Sequence, residues 1–240
     1  MPGHLVFISG ASSGIGLALA AAVPHTDARV INISRRPAPQ SEHFAADLSD
    51  PDAWPRVGAL FAREMKGFAG DGVWFLHSAG TLEPMGFAGE VEPEGYARQV
   101  LLNAASPQVL GDAFLRAARD TDVPCTMLQI GSGAAHTVYE GWSAYCGGKA
   151  GADHWIRTVG AEQERRGGRC RVISIAPGIV ATAMQEQIRE MESQVFPDAE
   201  RFRELHREGA LRPPDEVARE LWARLQTKFE NGAVIDLRDD

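Results

Sequence analysis

Six short apolar runs punctuate the 240 residues. They are Leu5–Ile8, Arg29–Ile33, Val73–Leu76, Thr126–Ile130, Arg171–Ile175 and Ala233–Leu237, with a weaker one at His43–Phe44. None alternates apolar with polar, and most are rich in Val and Ile, the pattern of strands buried on both faces in a parallel sheet. Between them, helical spacing predicts helices over about 14–23, 51–66, 93–119, 143–165 and 214–226. Strand–helix alternation of this kind predicts an α/β fold, a doubly wound parallel sheet of about seven strands with helices on both faces. No repeat, low-complexity tract or linker divides the chain, so residues 1–240 are read as one domain.

Residues 183–212 do not fit the alternation. They carry Met184, Ile188, Met191, Val195, Phe196, Phe202 and Leu205 with polar residues between. Either they form a core-facing helix pair, or they form an apolar, Met-rich lid over a substrate cleft. The length of the insertion favours the lid.

Composition narrows the partners. Lys+Arg 24 against Asp+Glu 32 gives a formal charge of −8 and a pI near 5.4, which argues against nucleic acid or an anionic membrane as the main partner. Cys125, Cys146 and Cys170 form no C-x-x-C pair, so neither a disulfide framework nor a metal centre is expected. No secretory signal and no apolar run of transmembrane length is seen, and a cytoplasmic location is expected.

The chemistry lies in the loops after the strands. Ser9-Gly10-Ala-Ser12-Ser13-Gly14-Ile15-Gly16 follows the first strand and opens a helix. Glycines there let the backbone turn tightly against a pyrophosphate, beside the free N–H groups of a helix N-terminus. Past the second strand, where an NAD binder carries an acid for the ribose 2′-hydroxyl, stand Arg35 and Arg36. Two guanidiniums suit a 2′-phosphate, so NADP(H) is preferred as cofactor. Asp47, with Leu48 beside it, either accepts from an adenine amino group or caps the next helix. Ala79-Gly80 offers small residues against a ribose, and Asn103 is an unusual amide among apolar residues. His77 at the fourth strand's end reads as packed rather than catalytic.

Ser132 follows the fifth strand, and Tyr145 and Lys149 follow it, four residues apart on one helix face. An ammonium beside a phenol lowers the phenol's pKa toward working pH, making it a usable proton donor. After the sixth strand, Pro177-Gly178-Ile179 makes a turn, with Thr182 placed to bond a carboxamide.

Taken in order, Gly10/Gly14/Gly16, Ala79-Gly80, Asn103, Ser132, Tyr145, Lys149 and Pro177-Gly178 with Thr182 resemble the short-chain dehydrogenase/reductases over nearly the whole chain. Gly141-Trp142 through Lys149, Ala176 through Gln185 and Phe229 through Asp236 are similar to the branch holding sepiapterin and benzil reductases. The resemblance implies a Rossmann-type fold and NADPH-dependent reduction of a ketone, diketone or pterin side-chain carbonyl. It implies that Ser132 donates to the carbonyl and Tyr145 acts as general acid, with Lys149 supporting Tyr145 and Asn103 seating a relay water. It also implies an Asp236 that anchors substrate, with Trp142 and Met184 at the substrate, and a homodimer or homotetramer. His77-Ser78 replaces the family's usual Asn-Asn, and Ser13 stands where the branch often has Arg, which leaves the 2′-phosphate to Arg35 and Arg36. An NAD-dependent alcohol dehydrogenase on the same fold and a non-catalytic NADP(H) sensor are the alternatives.

Overall fold

A computed structural model describes residues 2–239. Seven strands, β1 (His4–Ser9), β2 (Ala28–Ser34), β3 (Glu42–Ala45), β4 (Gly72–His77), β5 (Cys125–Ile130), β6 (Cys170–Ala176) and β7 (Ala233–Asp236), form one parallel sheet in the order β3-β2-β1-β4-β5-β6-β7. Each apolar run feeds two cores by turning alternate side chains to opposite faces. Leu5 and Phe7 of β1 join Phe61, Phe114 and Ile156 on one face, while Val6 and Ile8 join Leu19, Leu221 and Trp222 on the other. The first face is covered by α2 (Trp54–Met65), α4 (Ser106–Ala118) and α5 (Ser143–Arg166), the second by α1 (Gly14–Ala21) and α8 (Pro214–Gln226).

The strand order reverses between β1 and β4, and such a switch point opens a crevice at the strands' carboxyl ends. Residues from the loops leaving all seven strands line this crevice, joined by Tyr145 and Lys149 of α5.

The helix predicted over 93–119 is three pieces: α3 (Pro93–Val100), a π turn at Leu101–Ala105, and α4. Pro107 lacks an N–H for the Asn103 carbonyl and its ring crowds that oxygen. The helix widens there, and the Ser106 N–H bonds the Leu101 carbonyl, five residues back. Of the three glycines early in α5, Gly148 packs on this turn: a Cβ there would stand 2.9 Å from the Asn103 Cβ. Gly147 has nothing within 4 Å, so packing within the chain does not account for it.

Residues 183–212 hold α6 (Ala183–Glu190) and α7 (Ala199–Arg207). The segment returns to its origin, because Arg212 N–H donates to the Ile179 carbonyl and Ala181 N–H to the Arg212 carbonyl, each at 2.9 Å. It folds as a flap on a fixed base. Its underside forms a third apolar cluster in which Ile188, Phe196 and Phe202 meet Leu82, Trp142 and Tyr145. The segment is thus a helix pair with its own small core, and its Met184, Ile188 and Phe202 also line the crevice. No helix among the described residues is long and apolar enough to cross a membrane.

Candidate active site

The crevice is a cavity of about 990 Å³ running from Arg35 and Asp47 at one end to the flap at the other. At its middle lies the glycine turn. Gly10 and Gly14 have φ of 72° and 53°, a region that favours glycine. Gly16 is needed for space instead: a Cβ there would stand 2.4 Å from the Gly10 carbonyl oxygen. Ser12, Ser13, Gly14 and Ile15 face the cavity, and Gly16 lies buried behind them. Ser9, which the sequence did not single out, locks the turn to the neighbouring strand end. Its Oγ accepts from the backbone N–H groups of Ser78 and Ala79, both at 3.1 Å.

Arg35 and Arg36 line the cavity and are exposed, and among the described residues neither guanidinium has an ion pair or hydrogen bond. Asp47 and Leu48 line the same end. The helix cap considered for Asp47 is made by Asp50, which accepts from the Asp52 N–H, while Asp47 accepts from the N–H and hydroxyl of Ser49. Ala79, Gly80, Pro177, Gly178, Ile179 and Thr182 also line the cavity, and the Thr182 methyl packs on Gly14.

The three expected reacting groups converge. Tyr145 and Lys149 stand one turn apart on α5, both buried yet lining the cavity. Lys149 Nζ donates to the Ile130 carbonyl at 2.9 Å and lies 5.7 Å from the Tyr145 ring centre. Ser132, in the turn after β5, accepts the Ala134 N–H at 3.2 Å, and its side chain is near enough to the Tyr145 phenol to act on its titration.

The electrostatics differ from the sequence expectation. Burial pushes the Tyr145 phenol up, and Ser132 pulls against it. Burial sets the direction, and the lowering expected from Lys149 is not among the influences on the phenol. A raised phenol keeps its proton at neutral pH, which suits a donor. Burial also brings Lys149 down, to about 8, against the opposing charge of Asp153. A base with a depressed pKa loses its proton as pH rises through that value. If the ammonium is required, kcat/KM is flat below about pH 8 and falls above it, and Lys149→Arg carries the fall to higher pH. A pH–rate profile measures both.

Asp153, which sequence reading passed over, acts on Lys149 from outside the cavity lining. It lies one turn beyond Lys149, 2% exposed, where it accepts from Ser174 Oγ at 2.6 Å and faces His136 Nε2 at 3.4 Å. The i, i+4, i+8 spacing of Tyr145, Lys149 and Asp153 was the available signal.

One expectation changes, and one residue gains a further role. The Asn103 side chain clamps the chain: Oδ1 accepts the Thr81 N–H at 3.0 Å and Nδ2 donates to the Thr81 carbonyl at 2.7 Å. Its buried amide is satisfied by backbone in the cavity wall. Asp236, expected to anchor substrate, does not line the cavity. Its carboxylate is forked by Arg238, with Nε at 2.8 Å and Nη2 at 2.5 Å, and it is Arg238 that faces the cavity. Trp142 and Met184 line the flap end, where Trp142 stacks on Phe196 at 4.4 Å and meets Tyr139, also missed, at 5.0 Å. His77 is fully buried beside Ser106 Oγ at 3.2 Å and held to about 3 by burial, so it stays neutral.

Comparison with known proteins agrees with this geometry. The family model for short chain dehydrogenase matches residues 4–193. A benzil reductase ((S)-benzoin forming) of Bacillus subtilis is 33% identical over 240 residues, covering 98% of this chain and 99% of that one. Sepiapterin reductase of Bos taurus is 35% identical over 142 residues, 58% of this chain and 51% of that one. Among solved structures, that of the KRED1-Pglu enzyme superposes with a TM-score of 0.79 at 26% identity, covering 96% of this chain and 99% of that one. The chain belongs to the short-chain dehydrogenase/reductase family and is an oxidoreductase similar to its benzil and sepiapterin reductases.

Proposed function

We propose that the protein is an NADPH-dependent carbonyl reductase in which Tyr145 is the general acid. The observation that carries this reading is the meeting of the Tyr145 phenol, the Ser132 hydroxyl and the Lys149 ammonium in one cavity with the glycine turn.

The residues present fit a dinucleotide. The turn is kept free of side chains at Gly10 and Gly14, the N-terminus of α1 supplies N–H groups for a pyrophosphate, and two unpaired guanidiniums stand at the far end. When bound, the cofactor supplies hydride to the carbonyl carbon. Ser132 orients the carbonyl oxygen by donating to it. Tyr145, still protonated, gives its proton to that oxygen as negative charge develops, a contribution of roughly 10²–10⁴-fold in general acid catalysis. Lys149 then faces the resulting phenolate as a buried cation, which is worth more there than in water. The flap's apolar underside excludes water from the exchange.

Arg35 and Arg36 support NADPH over NADH. A charge-assisted hydrogen bond contributes about 1.5–3 kcal/mol. Changing both to alanine is expected to raise KM for NADPH by about 10- to 100-fold, with less than threefold change for NADH. Steady-state kinetics with each cofactor checks this, and equal losses would favour the NAD-dependent reading. Turnover of benzil and sepiapterin tests the reaction class. Binding of NADPH without reduction of either would favour a sensor.

Two further readings follow the same branch. Val100 and Val109, on α3 and α4, are exposed large hydrophobic residues, and Gly147 on α5 is open, a surface that fits a homodimer or homotetramer built on these helices. Three free cysteines fit a cytoplasmic home.

A further inference from the structure

The carboxylates at the flap end of the cavity, and Asp236 behind its lining, are engaged. Asp236 takes the Arg238 backbone N–H at 2.9 Å as well as the fork of its guanidinium. Glu83 accepts from Gln187 Nε2 at 3.0 Å, and Glu92 caps α3 on the N–H groups of Glu94 and Gly95. Donors are left over. Of the five N–H groups of a guanidinium, Arg238 commits Nε–H and one on Nη2 to Asp236. Two buried donors that also line the cavity, Trp142 Nε1 and Gln185 Nε2, find no acceptor among the described residues.

Arg238 is placed beside the reacting groups. Its Nη2 lies 3.1 Å from where a Cβ on Gly133 would stand, one residue past Ser132, and its stem passes 3.3 Å from the corresponding point on Gly178. Arg238 thus reaches both loops, its guanidinium at the Ser132 loop and its stem at the Gly178 loop. Its charge is offset by Asp236, so the remaining N–H groups offer direction without the net charge that would select a carboxylate. Unmatched donors also discriminate against ligand amino groups, which would need an acceptor here.

We infer that Arg238 is a specificity-determining residue that hydrogen-bonds the second oxygen of a neutral vicinal dicarbonyl while Ser132 and Tyr145 hold the first. The substrate class is then a 1,2-diketone rather than an aminopyrimidine such as a pterin. This rests on the carbonyl-reductase reading above, and deepens it.

The test compares 1-phenyl-1,2-propanedione with propiophenone, which lacks the second carbonyl, in the full-length enzyme and in Arg238→Leu, a change that keeps an apolar stem over Gly178. Diketones are intrinsically more reactive, so the quantity read is how the ratio of kcat/KM values changes on substitution. Loss of one hydrogen bond to a charged group is expected to lower that ratio about tenfold, mainly through KM for the dione, with Arg238→Lys recovering part of it. A parallel fall for both substrates, or a raised Kd for NADPH by fluorescence titration, would overturn the proposal by placing Arg238 on the fold or the cofactor. An unchanged ratio would overturn it too. If wild type reduces neither compound nor benzil, the reductase reading fails instead, a result distinct from a wild type that reduces them with an Arg238-independent ratio.

Discussion

Tyr145→Phe is expected to lower kcat for NADPH-dependent reduction of benzil by about 10²–10⁴-fold while NADPH still binds. The substitution removes one oxygen from a buried ring that packs edge-on to Trp142 at 5.6 Å, so the aromatic cluster keeps its shape. Ser132 retains its bond from the Ala134 N–H and stays in place. On the proposed reading, what disappears is the proton donor. The loss should fall on kcat and kcat/KM together, the pattern of an interaction made in the transition state. Circular dichroism and NADPH titration separate this from unfolding. Near wild-type turnover in the variant would remove Tyr145 from the chemistry.

Gly16→Ala is expected to weaken NADPH binding by at least about 100-fold, roughly 3 kcal/mol by affinity arithmetic. The added methyl would stand 2.4 Å from the Gly10 carbonyl oxygen and 2.8 Å from its carbon, and both are backbone atoms of the same turn. Neither can swing aside as a side chain tip does. The turn must open, and opening it displaces the α1 N-terminus that would face the pyrophosphate. Gly147→Ala is the control: nothing lies within 4 Å of its Cβ position, so it should bind NADPH as wild type does. Isothermal titration of both variants decides the matter, and comparable affinities for the two would contradict this account of the turn.

The framework was legible because its physics is local. Runs such as Leu5–Ile8 read as strands since a doubly covered sheet needs apolar residues at every position, and α8 follows the predicted 214–226 span closely. The glycine turn was legible because positive φ and close approach leave few alternatives to glycine. Features set by tertiary contact were not. The π turn at Leu101–Ala105 depends on Pro107 meeting the Asn103 carbonyl within a helix whose existence had first to be known. The direction of the Tyr145 shift depends on burial by Trp142 and the flap, which a Tyr–Lys spacing does not report. Asp236 looked free in the sequence because its partner, two residues on, could as readily have pointed to solvent. Ser9 resembled any strand-end serine until the β4 loop was seen to donate to it.

The most direct test of the central claim is a crystal structure of the protein with NADP bound. The account predicts the nicotinamide ribose within hydrogen-bond reach of Tyr145 Oη and Lys149 Nζ, the ring open to the space between Ser132 and the flap, and the 2′-phosphate against Arg35 and Arg36. A dinucleotide whose nicotinamide lies away from the Ser132–Tyr145–Lys149 cluster would contradict it.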